Sequence, residues 1–250
     1  MLIFIDLLVL LVALIFGSFF NVVAIRLLQK ESIAFPPSHC PNCNHRLHAL
    51  DLIPVLSYVF LKGKCRYCKT TISPLYPFGE ILAAFSIFFV YKHVGLSLEL
   101  IPALLLTILL VISVLTDIRE QLILDIVTFP MLGLIVLSRI FIGTEPFWFY
   151  LLGGLIGFGL LLILAIVSKG GMGGGDIKLY AAIGVALGPI LTVISLVLAS
   201  FVGAIVGVLL LMSGKVKRGQ PIAFGPSIMV GTLIAYTYGY DILNWYLSFW

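Results

Sequence analysis

Two aspartates and four cysteines are the residues of this chain whose types and spacing could do chemistry. Asp117 closes an apolar run in Leu115-Thr116-Asp117-Ile118-Arg119, and Asp176 opens another in Gly173-Gly174-Gly175-Asp176-Ile177-Lys178. A charged side chain inside a membrane helix costs roughly 2.5–3.5 kcal/mol on insertion scales, so each needs a reason. Two carboxyls sharing a site do not both ionise easily. One keeps its proton, the other acts as base, and the pair titrates as a unit. Such a pair can activate water against an amide and protonate the departing nitrogen. Each acid also has a plainer reading. Aspartate is a preferred helix N-cap, and the glycines before Asp176 suit a loop. Arg119 offers Asp117 a surface partner. Glu120 and Asp125 compete nearby, and an acid such as Asp125 in a first helical turn is favoured without any catalytic role.

The cysteines form two pairs, Cys40-Pro-Asn-Cys43 and Cys65-Arg-Tyr-Cys68, with 21 residues between them. Each pair can offer two thiolates from one tight turn, and two such turns close a tetrahedral four-sulfur site that suits Zn2+. With four protein ligands no position remains for substrate, so the zinc reads as structural. The alternative of two disulfides is disfavoured if the segment faces the reducing cytoplasm. His39, His45 and His48 lie close by and read as surface residues, since the four-cysteine set is complete. No His-Glu-x-x-His occurs, which argues against a zinc protease.

The elements that position these groups are apolar. Of 250 residues, 61% are hydrophobic and 10% charged, against about 45–50% and 25% in soluble domains. Hydropathy places spans near 2–25, 78–94, 98–116, 123–143, 148–167, 176–187, 189–213 and 226–247. The sixth is short, and Gly188-Pro189 should break it from the seventh or make the two a kinked, re-entrant pair. Met1 to Ile25 has no basic start and a long apolar run, so it reads as a retained first helix rather than a cleaved signal. With the N-terminus outside, the cytoplasmic segments hold Arg26, Lys30, Arg46, Lys62, Lys64, Arg66, Lys69, Arg119, Lys169, Lys178, Lys215, Lys217 and Arg218. Only Lys92 and Arg139 are left outside, a strong positive-inside bias. The fold expected is an all-α polytopic membrane protein of about eight transmembrane helices. A first helix occupies residues 1–27, a small cytoplasmic zinc domain 28–77, and a membrane domain 78–250. No internal repeat is visible. The glycine run at 170–175 lacks the spacing of a phosphate-binding loop, and a net charge of +4 makes no case for nucleic acid.

Several motifs in order give the chain a resemblance to the bacterial prepilin peptidases, the type IV leader peptidases, among the Gly-x-Gly-Asp intramembrane aspartyl proteases. Gly17-Ser18-Phe19-Phe20-Asn21-Val22-Val23 with Arg26 resembles the first-helix motif of that family. The cysteine pairs, Asp51-Leu52-Ile53-Pro54 with Leu56-Ser57-Tyr58, and Gly63-Lys64-Cys65-Arg66 resemble its cytoplasmic domain. Thr116-Asp117-Ile118-Arg119 and Gly171-Met172-Gly173-Gly174-Gly175-Asp176-Ile177-Lys178-Leu179 resemble its two catalytic segments, and Phe224-Gly225-Pro226 the start of its last helix. The resemblance implies Asp117 and Asp176 as the catalytic pair. It implies cleavage of prepilin or pseudopilin leaders at the inner face of the bacterial cytoplasmic membrane. It also implies methylation of the new N-terminal amine by S-adenosylmethionine. No motif here by itself marks a methyl-donor site; Glu80 and Asn21, polar residues at helix margins, could line one or could simply pair helices. Lys178 and Arg119 could bias the acids, bind a phosphate head group, or serve as positive-inside anchors. Two departures stand out. Ile123-Leu124-Asp125 replaces Ile-Pro-Asp, and Leu75 takes the place of an arginine in Ile72-Ser73-Pro74-Leu75-Tyr76-Pro77, which bears on methylation. A transporter or channel with a regulatory zinc domain would also carry intramembrane acids and a glycine-broken helix, but nearer mid-membrane. A non-catalytic scaffold is the third alternative. Oligomeric state is left open.

Overall fold

The structure is a computed structural model that describes residues 2–168, 171–214, 216–217, 220 and 222–249. Lys169, Lys215 and Arg218 of the basic set, Gly170 of the glycine run and the starting Met1 lie outside them. The described residues are helical, with isolated bridges in place of strands. The helices are α1 (Leu2–Leu28), α2 (Leu56–Phe60), α3 (Leu75–Val94), α4 (Leu100–Glu120), α5 (Asp125–Phe141), α6 (Phe147–Val167), α7 (Gly174–Leu187), α8 (Pro189–Met212) and α9 (Gly225–Leu247).

Every hydropathy span falls on one of these helices, but eight crossings are not established. Among the described residues five helices are long and apolar enough to cross a membrane: α1, α3, α4, α6 and α8. With 17 residues α5 is short, and α9 is long but diluted by Thr232, Thr237, Asp241 and Asn244. The 14 residues of α7 reach only about 21 Å at 1.5 Å per residue, well short of a hydrocarbon core of about 30 Å.

The chain divides into two compact units, Met1–Phe89 and Val90–Trp250. In the first, α1 meets α3 where Gly17 lies against Glu80 and Ala83; a β-carbon at 17 would stand 2.9 Å from the Ala83 β-carbon. Asn21 Nδ2 donates to the Tyr76 carbonyl at 2.9 Å, and Arg26 gathers the carbonyls of Ser32, Ile33 and Pro36. Between the two helices runs the cysteine-bearing insertion.

In the second unit α7 is the hub. It packs against α4, α5, α6, α8 and α9, and Leu179, Tyr180, Ala182, Ile183 and Ala186 are fully buried. Gly153 and Gly157 of α6 let the backbones of Gly184 and Tyr180 come into direct contact, the small-residue packing expected where helices have no hydrophobic drive to associate. Gly188 ends α7 and begins α8 with φ +78°, a conformation glycine adopts without strain, so these are two abutting helices and not one kinked one.

Candidate active site and metal centre

Asp117 lies in the last turn of α4, which runs on to Glu120 rather than stopping at 116. It is 6% exposed. Its Oδ2 accepts the Gly225 N–H at 2.6 Å. Gly225 is the first residue of α9, so the bond comes from a helix N-terminus, where backbone donors lack intrahelical partners. A β-carbon at Gly225 would stand 2.8 Å from that same oxygen, so any side chain there would displace the carboxyl.

Asp176 is not an N-cap. Gly173 caps α7, and Asp176 is the third helical residue, half-buried, with its carboxyl turned back over Gly173. Gly175 is pressed on Ile123, where a β-carbon would come within 2.8 Å of the Ile123 β-carbon. α4 packs on α7, and the contact of Gly175 with Ile123 sets the start of α7 beside the chain leaving α4, so the two acids stand at neighbouring helix ends. The competitor Asp125 is accounted for otherwise. Asp125 opens α5 and pairs with Lys178 at 2.6 Å, and Lys178 also lies 5.6 Å above the Phe129 ring. With Leu124 at the cap, the missing proline does not prevent α5 from starting at Asp125.

Sequence reasoning missed Arg139. Charge counting places it only as an outer-side exception, and it is buried, 4% exposed. Its guanidinium binds the Ala186 carbonyl at the far end of α7, pairs with Glu99 at 2.7 Å and covers the Tyr150 ring. Tyr236 donates to Glu99 at 2.6 Å. A cation at a helix C-terminus offsets the macrodipole, so α7 is held at both ends. The signal available was an arginine inside an apolar run, which asks for a named partner.

Glu80 and Asn21 work inside the first unit. Glu80 accepts the Val55 N–H at 2.7 Å. Asn21 Oδ1 is buried without a hydrogen-bond partner among the described residues.

The ligand atoms of Cys40, Cys43, Cys65 and Cys68 all lie within 4.8 Å of one another, and all four are free thiols. Cys40 and Cys68 sulfurs are 3.7 Å apart, too far for a disulfide and close to the ~3.8 Å that a tetrahedral zinc with Zn–S near 2.3 Å requires. Each pair sits in the same hairpin knuckle. Cys40 N–H donates to His45 and Cys65 N–H to Thr70, with bridges His39–Arg46 and Lys64–Thr71 and left-handed residues at Asn44 and Lys69. This is a structural repeat that the residue types hide. Cys68 is lowered to about 5, first by the Thr70 hydroxyl and N–H and then by Asn42 reaching across from the other knuckle. The His45 N–H favours the Cys43 thiolate, but burial and the Cys40 and Cys68 sulfurs push that thiol up to about 11. Holding all four sulfurs as thiolates in one cluster takes a cation. The three histidines are exposed and outside the set; His45 stacks on Tyr67 at 3.6 Å.

The class these features define is an all-helical membrane protein with two acids at neighbouring helix ends and a four-cysteine insertion. Residues 11–94 match the family described as the Bacterial Peptidase A24 N-terminal domain, and residues 104–208 match the Type IV leader peptidase family. A protein of Bacillus subtilis (strain 168) named prepilin leader peptidase/N-methyltransferase is 36% identical over 235 residues, covering 94% of this chain and 95% of its own. Proteins of the same name from Aeromonas salmonicida (strain A449), 36% identical, and Pseudomonas aeruginosa, 33% identical, each align with 96% of this chain, and with 93% and 92% of their own. The chain belongs to the type IV leader peptidase family. No solved structure matches it.

Proposed function

We propose that this protein is a bifunctional enzyme that cleaves the leaders of type IV prepilin or pseudopilin proteins and methylates the N-terminus so formed. Asp117 and Asp176 are the catalytic pair. One carboxylate takes a proton from a water whose oxygen attacks the scissile carbonyl carbon. The protonated partner then delivers its proton to the departing nitrogen as the C–N bond breaks. The observation that supports this reading is the placement of two acids at neighbouring ends of packed helices, one in the last turn of α4 and one in the first turn of α7.

The protein sits in the bacterial cytoplasmic membrane with its N-terminus outside and its active site at the inner face. All eight long helices cross or enter the bilayer, α7 doing so only in part, and residues 28–77 form the cytoplasmic zinc domain ahead of the peptidase portion 78–250. The distribution of lysine and arginine supports this topology. Zn2+ is held by Cys40, Cys43, Cys65 and Cys68 and is structural, with Asn42 and Thr70 orienting the ligands. S-adenosylmethionine supplies the methyl group when bound. Its positive sulfonium needs acceptors, and the Asn21 Oδ1 without a partner and the Glu80 carboxyl in α1 and α3 are suited to that need. Leu75, the first residue of α3, makes methylation the activity more open to reduction.

Co-expression with a candidate prepilin, followed by mass analysis of its mature N-terminus, tests both halves. Wild type yields a shortened, methylated product. Asp117→Asn and Asp176→Asn each lower cleavage by about 10²–10⁴-fold, the usual contribution of a general acid or base. Cleavage at the normal rate in either variant overturns the pairing.

A further inference from the structure

The insertion expected to be a polar cytoplasmic segment contains an apolar stretch between its two cysteine knuckles. Leu52, Ile53, Leu56, Val59 and Phe60 are all exposed, Phe60 by 80%. Residues 52–56 form one wall of an apolar hollow of ≈ 720 Å³, and the opposite wall includes Leu10 and Leu14 of α1 and Ile81 and Phe85 of α3. Those positions belong to the central turns of two helices long and apolar enough to cross a membrane. The stretch therefore stands beside the middle turns of two candidate membrane spans.

We propose that Leu52–Phe60 is a re-entrant wedge seated in the hydrocarbon of the bilayer, with acyl chains filling the hollow beside it. Irregular backbone survives at that depth only where its polar groups are satisfied within the protein, and most N–H groups of this stretch have such a partner. The N–H of Leu52 bonds to Ala49, that of Leu56 to Pro54, that of Ser57 to Ile53 and that of Val59 to Val55. The Val55 N–H is met by the buried Glu80 carboxyl at 2.7 Å. Val55 holds φ +61°, a left-handed conformation that a β-branched residue rarely adopts, and this turn aims its N–H at Glu80. At the start of the wedge, Asp51 binds Arg66 and Tyr67 and ties the stretch to the second knuckle. Directly after Phe60 come the exposed Lys62 and Lys64, suited to anionic head groups where the chain leaves the hydrocarbon. Apolar surface followed by lysine is the pattern of a membrane-anchored segment, not of a face kept in water.

The test uses the full-length protein in phosphatidylcholine–phosphatidylglycerol vesicles, with Trp148, Trp245 and Trp250 replaced by Phe and a single tryptophan installed by Phe60→Trp. Leader cleavage reports that the variant is folded, and Leu56→Trp repeats the measurement should Phe60→Trp fail that check. Arg46→Trp, on the exposed rim of the first knuckle, is the water-facing control. Lipids brominated on their acyl chains should remove most of the emission from position 60 or 56, while iodide quenches only the control. Quenching of position 60 by iodide and not by brominated lipid overturns the proposal and makes the insertion water-borne. Shielding from both also overturns it, and assigns the apolar stretch to a polypeptide, a second copy or the stem of a substrate.

Discussion

Gly225 is where a single carbon atom reaches the proposed chemistry. Its N–H holds Asp117 Oδ2, and its missing side chain leaves room for that oxygen. Gly225→Ala should shift the carboxyl away from Asp176 without adding or removing a charge, and misplacement of about 1 Å commonly costs about 10²-fold in rate. Single-turnover cleavage of a prepilin, with thermal unfolding as control, reads this; a normal rate would show that Asp117 does not depend on that bond. The sequence marks Gly225 only as part of a motif; the reason for glycine lies in α4, far away along the chain. Asp51 gives a second test at this scale. Burial raises its pKa, but the Arg66 bond and charge, the His48 N–H and the Tyr67 hydroxyl outweigh that and hold the carboxyl below its usual range. A group lowered on folding contributes stability that is complete above its unfolded value, about 4, and disappears as pH falls through the lower folded value. The resistance of the insertion to protease in wild type should exceed that in Asp51→Asn at neutral pH, and the gap should close in strong acid. A gap that persists unchanged there would mean that the pair contributes nothing to the fold of the insertion.

At the scale of the element, α7 is the part that hydropathy reads least well. Its short span is legible in the sequence, but its hub position and its anchoring are not. Periodicity finds apolar runs, but it does not say that a 14-residue run is enclosed by five others. Nor does charge counting tell a buried arginine from a topological one: Arg139 counted as an outer charge, and its partner Glu99 lies 40 residues away. The eight runs were legible because apolar length dominates their composition; the Asp176 position shifted because Gly173, with no side chain, still serves as cap. The anchoring carries its own expectation. Glu99→Leu strands a guanidinium that is 4% exposed, and breaking a buried ion pair from one side costs about 3–5 kcal/mol. Arg139→Met strands a carboxylate that is one-third exposed and still bonded to Tyr236, so it should cost less. The double variant should recover part of the loss. Denaturant unfolding of the four proteins in detergent completes the cycle, and strictly additive single effects would dissolve the coupling.

Across the whole molecule, two different forces hold the two units. Between 90 and 250 the helices bury a large apolar core, including Leu106, Leu109, Leu110, Ile135, Leu161, Leu179 and Ile183. Between 28 and 77 the buried residues are Cys40 and Cys65, joined by the ion-paired side chain of Asp51, and none is a large apolar group. A segment of that size with no apolar core needs another source of stability, and a structural zinc supplies apparent binding energy of about 10–16 kcal/mol that counts as folding energy. Removing zinc with a strong chelator should therefore open residues 28–77 to protease while the helices from α4 to α9 remain resistant. Helical circular dichroism should fall little, and adding zinc back should restore protection. One zinc per chain by elemental analysis, lost together in the four Cys→Ser changes, would match the geometry of the knuckles. An insertion that stays closed to protease after the metal is gone would mean that something other than the sulfur cluster holds it. Its exposed apolar face would then be the first place to look, because contact with lipid is the other large stabilising term within its reach.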